Sequence, residues 1–261
     1  MATLRDAIYG QAVGDALGVP WEFLTRGSFT CEGMVGYGSH NQPAGTWSDD
    51  TSLALATCDS IRRRGRVDVE SIRMAFEAWL EEGAYTVDDR VFDVGGTTFR
   101  AIQQGRGCDG EFDNGNGSLM RIAPLAFTDA TDDMVRRVSA ITHAHPISCQ
   151  CCVDFIHGLR DAANRPDYMR NKLVGELRGF PQDQISSGGY VADTLEAACW
   201  AFANTDNFRD CVLLAVNLGD DSDTTGAVAG ALAGTYYGMD TIPAEWLDEL
   251  RGKDVIEACL F

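Results

Sequence analysis

The sequence predicts an all-α protein, a compact bundle whose helices present functional side chains on the loops between them. Three observations support this fold class. Apolar residues recur near the helical period of 3.6 in nine segments, strand-like alternation is scarce, and Gly and Asp gather between the segments. The predicted helices cover residues 4–17, 53–64, 69–80, 97–104, 134–142, 148–162, 191–203, 208–218 and 225–237.

The boundaries of these helices carry their own signals, in chain order. The first helix ends ahead of Pro20-Trp21, where the chain leaves regular structure. The second follows the run Ser48–Thr51, whose oxygens accept hydrogen bonds from a first helical turn. The fourth follows the flexible pair Gly95-Gly96, and Thr205–Asn207 marks the start of the eighth. Oxygen-rich and glycine-rich stretches therefore stand at helix ends.

The chain has 261 residues, of which 45% are hydrophobic, enough to bury a large core. No Pro/Ser-rich linker, low-complexity tract or clear repeat divides it, so we expect one domain over residues 1–261. The first residues lack the layout of a signal peptide, and no stretch approaches about 20 apolar residues. We expect a soluble, cytoplasmic monomer that does not enter membranes.

The charge balance restricts the partners. The formal net charge is −18 and the isoelectric point about 4.4. Nucleic acid and anionic membranes are excluded as main partners, because neutralising their phosphates needs clustered Lys and Arg. A small phosphate-bearing ligand remains possible, since a few local donors can hold it.

Nine cysteines raise the question of disulfides or zinc. Nine is an odd number, and most of the cysteines lie within apolar helical patterns, where reduced Cys packs as a small hydrophobe. Cys149, Cys151 and Cys152 lie near His143 and His145, but within a predicted helix rather than at the loop spacings of zinc ligands. Free thiols are the favoured interpretation.

Two helix starts carry a surplus of oxygen side chains. The runs Ser48–Thr51 and Asp220–Thr225 together contain five Asp, whereas one cap residue suffices for a helix. Their mutual repulsion favours cations between them, and carboxylates and hydroxyls without His or Cys favour Mg²⁺, Mn²⁺ or Ca²⁺. The alternative is that both runs are N-caps with more oxygen side chains than a cap needs, and that their acidic side chains are solvated. The helix after the second run is rich in Gly and Ala, which lets a neighbouring helix approach closely.

Six motifs, in order, carry a resemblance to a known family. They are GDALGVPWEF, GTWSDDTSLALA, FDVGGTTFRAI, GNGSLMRIAPLA, THAHP and GDDSDTTGAVAGALAG, spanning residues 14–234. In this combination the sequence resembles the ADP-ribosylglycohydrolase family, which includes the dinitrogenase-reductase-activating glycohydrolase and the ADP-ribosyl-acceptor hydrolases. The resemblance implies one orthogonally packed α-helical domain with two Mg²⁺ or Mn²⁺ ions at its centre.

The resemblance also implies the ligands of these two ions. It assigns them to six side chains with hard oxygen atoms: Ser48, Asp49, Asp50, Asp221, Asp223 and Thr224. Two positions depart from the usual pattern. Ser48 stands where Thr is more usual, which keeps the hydroxyl oxygen. Asp220 stands where Gly is usual, and its carboxylate would bind metal, perturb the site or point to solvent.

The activity that the resemblance implies is hydrolysis of the bond between ADP-ribose and an acceptor. Such a reaction passes through an oxocarbenium-like state and needs a water molecule and a carboxylate that takes its proton. The candidate carboxylates are Glu22, which the acceptor-hydrolase branch uses, and Asp93, which the nitrogenase-related branch uses. We favour Asp93, because the compact chain with its Gly-Gly-Thr-Thr segment looks closer to the second branch.

The glycine-rich turn Gly115, Asn116, Gly117 and Ser118 is expected to contact the diphosphate. It precedes a helix-like stretch over residues 119–126, and such turns present N–H groups to phosphate. Arg121 is either a second phosphate donor or a structural pin. His143 is either a ligand contact or a satisfied interior histidine.

Two other classes of function stay open at this point. One is a Mg²⁺-dependent phosphohydrolase of a nucleotide-like substrate, which can also use Asp clusters. The other is a catalytically silent ADP-ribose-binding module. The sequence does not identify the acceptor, which can be arginine, serine, a nucleobase or a small metabolite.

Overall fold

The computed structural model describes residues 2–261 and contains twelve α-helices in that range. They are α1 (Leu4–Gly18), α2 (Asp49–Arg64), α3 (Val69–Glu82), α4 (Gly96–Gln104), α5 (Asp132–Ser139), α6 (Pro146–Asn164), α7 (Pro166–Leu177), α8 (Val191–Ala203), α9 (Phe208–Val216), α10 (Ser222–Tyr237), α11 (Ala244–Glu249) and α12 (Lys253–Cys259). Extended pairing among the described residues is confined to three isolated bridges, so the predicted all-α class is confirmed. None of these helices is long and apolar enough to span a bilayer.

Two helices begin earlier than the apolar pattern indicates. α2 starts at Asp49 rather than residue 53, and α10 starts at Ser222 rather than residue 225. Ser48 is the N-cap of α2, and Asp221 occupies the same position of α10. The oxygen-rich runs therefore form the caps and first turns of two helices, where free backbone N–H groups add a partial positive charge.

The helix predicted over residues 119–126 is wrong. The chain there makes three-residue turns, such as Leu119 N–H to Asn116 O at 2.7 Å, and then a short 3₁₀ helix, Ala123–Phe127. Pro124 explains the difference, because it has no N–H for an α-helical bond and its ring disfavours the helical conformation before it. The glycine-rich turn thus lacks an α-helix behind it.

The helices α1 and α10 cross in van der Waals contact along their backbones. Gly10 and Gly14 of α1 face Gly230 and Gly226 of α10, and a Cβ atom on any of them would meet the opposing carbonyl oxygen closer than 3.0 Å. Gly18 lies in the same way against the backbone of Asp223. The small residues therefore fix the first turn of α10 beside the end of α1.

The core around this crossing consists of buried apolar side chains from most of the helices. All nine cysteines are free thiols, and seven of them are buried. Cys149 donates weakly to the carbonyl oxygens of Arg136 and His143, at 3.7 and 3.6 Å. The thiols thus pack as the sequence analysis favoured.

Candidate active site

The two oxygen-rich helix starts meet. Thr224 Oγ1 on α10 donates a hydrogen bond to Asp50 Oδ2 on α2 at 3.4 Å, and Ser48 Oγ donates to the same oxygen at 3.2 Å. The first turn of α10 is attached to α1 as well, since Ser222 Oγ donates to Gly18 O at 3.0 Å. Residues separated by some 170 positions in the chain therefore form one cluster.

A cavity of about 190 Å³ opens over this cluster. Acidic and hydroxyl side chains cover one side, and glycine-rich segments of the chain cover the other. Its lining comprises Glu22, Asp49, Asp50, Asp93, Gly95, Gly96, Thr97, Thr98, Gly115, Asn116, Gly117, Met120, His143, Asp221 and Thr224. Ser48 instead lines a neighbouring cavity of about 300 Å³, behind the segment that carries Asp93.

The buried carboxylates of this cluster are strongly perturbed. Burial, followed by the negative charge of neighbouring carboxylates, holds the pKa of Asp49, Asp50 and Asp223 well above the usual value. Two of their oxygens, Asp50 Oδ1 and Asp223 Oδ2, have no hydrogen-bond partner among the described residues. Unpaired buried carboxylate oxygens are costly, and hard divalent cations satisfy them. The donor set therefore fits oxygen-preferring metals.

A second acidic group overlaps the first at Asp223. Ligand atoms of Glu22, His40, Asp93 and Asp223 all lie within 4.8 Å of one another. The Nε2 atom of His40 forms a short hydrogen bond with Glu22 and lies 4.0 Å from an oxygen of Asp93. The two alternative catalytic acids thus share one site, with an imidazole between them.

The Glu22–His40 pair is tightly held. The His40 ring packs between Phe23 and Phe92, at centroid distances of 5.7 and 5.4 Å. Burial raises the pKa of Glu22 to about 7; the hydrogen bond from His40 opposes this shift, and the charge of Asp93 adds to it. The hydrogen bond to Glu22 raises the pKa of His40. Because both pKa values are raised, the pair keeps a proton to higher pH than the separate side chains would.

Asp93 is held differently from Glu22. Its backbone lies in the left-handed region, with φ of 53°, two residues before Gly95, the N-cap of α4. Its side chain is 19% exposed, compared with 7% for Glu22. The turn aims a more accessible carboxylate at the cavity, at some cost in backbone strain.

Asp15 and His40 belong to the site, although neither was predicted from the sequence. Asp15 is fully buried at the end of α1, where its carboxylate accepts hydrogen bonds from the start of α2. Burial raises its pKa to about 7, and these hydrogen bonds oppose the shift. A signal was present, because Gln11 and Asp15 stand one helical turn apart in the otherwise apolar stretch of residues 7–18.

The glycine-rich turn supplies part of the opposite wall. Asn116 Nδ2 donates to Asp221 Oδ2 at 2.8 Å and to Thr194 Oγ1 at 2.9 Å, which fixes its amide against the acidic cluster. A Cβ atom on Gly117 would lie 2.6 Å from the imidazole of His143. Glycine there lets the backbone pack directly on the ring.

His143 lies at the cavity wall as a neutral imidazole. Burial lowers its pKa to about 3. Arg121 donates to Thr142 Oγ1 at 2.7 Å, and a hydrogen bond of 2.8 Å joins Thr142 Oγ1 to His143 Nδ1. With the threonine hydroxyl as its donor, the ring proton lies on Nε2 and gives the cavity an N–H donor.

The side chains of Ser118 and Arg121 lie away from the cavity. Ser118 is fully buried, and its Oγ accepts from Ser139 Oγ at 2.9 Å. Arg121 is also fully buried; it packs on the Phe76 ring and donates to Gly117 O at 3.1 Å. This geometry favours the structural-pin role for Arg121 and leaves the Ser118 hydroxyl no direct path to a ligand.

Asp220 occupies a position that suits glycine. Its φ is 56°, in the left-handed region, and its backbone pairs with Phe23 and Leu24 at 2.7 and 2.9 Å. Its side chain is exposed and does not line the cavity. The backbone conformation explains why glycine is the usual residue there.

Comparisons with known proteins agree with this architecture. The sequence profile described as ADP-ribosylglycohydrolase matches residues 2–260. The chain is 38% identical to the ADP-ribosylarginine hydrolase Tri1 of Serratia proteamaculans, over 97% of this chain and 76% of that protein. It is 35% identical to the ADP-ribosyl-[dinitrogen reductase] glycohydrolase of Rhodospirillum rubrum, over 95% and 90%.

A solved structure gives the same result at the level of the fold. The protein named "ADP-ribosylglycohydrolase-related protein complex" superposes with a TM-score of 0.81 and 32% identity, covering 97% of this chain and 93% of that one. The family profile spans nearly the whole sequence, and the relatives exceed 30% identity across it. The chain is a member of the ADP-ribosylglycohydrolase family.

Proposed function

We propose that this protein hydrolyses the glycosidic bond between ADP-ribose and an arginine side chain, releasing ADP-ribose. The observation that carries the proposal is the meeting of two oxygen-rich helix starts beneath a cavity whose other wall is glycine-rich. A ribose fits the acidic wall through its hydroxyls, and a diphosphate fits the N–H-bearing wall. The arginine acceptor is inferred from the relatives named ADP-ribosylarginine hydrolase.

The acidic wall is proposed to hold two Mg²⁺ or Mn²⁺ ions. The residues that would hold them are Ser48, Asp49, Asp50, Asp221, Asp223 and Thr224, with unpaired oxygens on Asp50 and Asp223 as support. When bound, such ions polarise ribose hydroxyls and lower the pKa of a water molecule. The carboxylates repel one another less once cations lie between them.

The protein's own groups then move the proton. Water attacks the anomeric carbon as the bond to the guanidine nitrogen breaks, and Asp93 accepts the water proton through its accessible carboxylate. The proton held by Glu22 and His40 beside it passes to the departing guanidine nitrogen. His143 donates from Nε2, and the backbone of Gly115–Gly117 packs beside that ring; both suit the diphosphate.

A product panel tests this function. The protein with Mg²⁺ is incubated separately with ADP-ribosylated arginine, ADP-ribosylated serine, an ADP-ribosylated nucleobase and O-acetyl-ADP-ribose, and products are identified by mass spectrometry. We expect free ADP-ribose and unmodified arginine, and no turnover by Asp223→Asn. Cleavage of the diphosphate without free ADP-ribose would instead indicate a phosphohydrolase, and binding without turnover a silent module.

We further propose that the protein acts as a cytoplasmic monomer, with residues 1–261 as one domain. The acidic surface and the single connected core support this. Light scattering coupled to gel filtration checks the mass of 28.3 kDa, and a dimer mass would contradict the monomer.

A further inference from the structure

Asp15 caps the N-terminus of α2 with hydrogen bonds that residues of the capped helix itself normally supply. In a capping box, the N-cap side chain binds the N–H of the third helical residue, whose side chain binds the N–H of the N-cap. In α2 the N-cap is Ser48 and the third residue is Thr51. Asp15, from α1, accepts both of these N–H groups, at 2.9 Å from Ser48 and 3.0 Å from Thr51.

The Thr51 hydroxyl adds a third bond to the same carboxylate, at 2.6 Å. Ser48 Oγ accepts only a long bond from the Asp50 N–H, at 3.3 Å, and donates to Asp50 Oδ2 at 3.2 Å. One turn earlier on α1, Gln11 Nε2 donates to Asp50 O at 3.0 Å. N–H and carbonyl groups of the first turn of α2 are therefore both attached to α1, while the adjacent face of α1 carries the glycines that seat α10.

We infer that Asp15 is a positioning residue: it caps α2 from outside and so frees the oxygen-rich first turn of that helix to bind cations. The inference rests on the proposed metal site and adds a residue to it that touches neither metal nor substrate. Asp50 Oδ1, without a partner in the described chain, is the atom that this arrangement leaves available.

The test is calorimetric titration of the metal-free protein with Mn²⁺ alone, without nucleotide. Asp15→Asn keeps the shape but places an NH₂ group against one of the two N–H donors. We expect the Mn²⁺ affinity to fall by about 10–100-fold, the range for residues that orient metal ligands. An affinity within twofold of the unaltered protein overturns the inference.

The matched control is Asp59→Asn. Asp59 is also a buried carboxylate of α2, held by Arg62, Arg63 and the Tyr85 hydroxyl. It lies ten residues, about 15 Å, along the helix from Asp49. We expect it to lower the melting temperature while Mn²⁺ affinity stays within twofold. An equal loss of affinity in both variants would show a general stability effect and overturn the inference.

If Asp15→Asn does not fold, Thr51→Val replaces it, since it removes only the hydroxyl bond to Asp15. The expected loss of Mn²⁺ affinity is on the order of fivefold, and unchanged affinity overturns the inference. Failure of the unaltered protein to bind Mn²⁺ would overturn the proposed metal site as well, which distinguishes the two failures.

Discussion

At the scale of single residues, Asp220 allows the energetic effect of its backbone conformation to be measured apart from any effect of its side chain. Asp220→Gly removes the strain of a left-handed φ, partly offset by the greater freedom of glycine in the unfolded chain. We expect the free energy of unfolding to rise by up to about 1 kcal/mol, or roughly 2–4 °C in melting temperature. Mn²⁺ affinity should not change, because the side chain is exposed.

The control for this variant is Asp129→Gly. Asp129 is exposed in a loop and is not among the residues with positive φ. Glycine there should only lower stability, by about 0.5–1 kcal/mol. Urea unfolding of both variants measures the difference, and equal destabilisation would contradict the strain interpretation.

Asp93 and Glu22 lie at the same site, so kinetics rather than position must show which of them is the general base. Asp93→Asn should lower kcat by on the order of 10²–10⁴ with ADP-ribose affinity largely intact. Glu22→Gln should cost less, because Glu22 is already engaged by His40. Nearly full turnover by Asp93→Asn, with a large loss in Glu22→Gln, would assign the base to Glu22.

His143 predicts a pH dependence of stability. The folded state holds its pKa near 3, whereas the unfolded chain protonates it below about pH 6.5. The contribution of the neutral imidazole to the free energy of unfolding is therefore complete above pH 6.5. It is lost as the pH falls, and the loss is about 2 kcal/mol at pH 5. Relative to His143→Gln, the unaltered protein should lose that much more stability between pH 7.5 and 5.0 in urea titrations. Parallel losses would contradict the buried neutral imidazole.

At the scale of elements, the crossing of α1 and α10 controls the site. Gly14→Ala places a methyl group against the Gly226 carbonyl, so the helices must separate. We expect a loss of about 1–3 kcal/mol in unfolding free energy, and weaker Mn²⁺ binding because the first turn of α10 shifts. Gly158→Ala in α6 meets open space and should stabilise by about 1 kcal/mol. Unchanged stability in Gly14→Ala would contradict the close crossing.

At the scale of elements, the sequence was sufficient to predict most of the helices. Apolar periodicity predicted the long helices, because each buries a face against the core. It missed α7, which has one buried residue, Met169, and the short helices α11 and α12. Periodicity also predicted a helix over residues 119–126, where Pro124 prevents one. The spacing of Gln11 and Asp15 marks a polar position in α1, but the partners of Asp15 and His40 lie 18 to 36 positions away, which no local pattern encodes.

At the scale of the whole molecule, we expect the acidic cluster to make the stability of the fold depend on metal. Four buried or half-buried Asp and Glu22 line one cavity in a chain of net charge −18, so cations that bind only the folded state should stabilise it. EDTA should abolish hydrolysis and lower the melting temperature. At a free metal concentration about 100 times Kd, each site contributes about 2.7 kcal/mol, or roughly 5–10 °C for a domain of this size.

Scanning calorimetry in EDTA, Mg²⁺ and Mn²⁺ measures this dependence, with Ca²⁺ as a further arm. Asp223→Asn is the informative variant, because it removes the fully buried carboxylate of a proposed metal ligand and its charge together. It should melt higher than the unaltered protein in EDTA, where repulsion is relieved, and gain little from Mn²⁺. If the unaltered protein melts at the same temperature with and without Mn²⁺ in a verified metal-free preparation, and keeps its activity, the binuclear site is wrong.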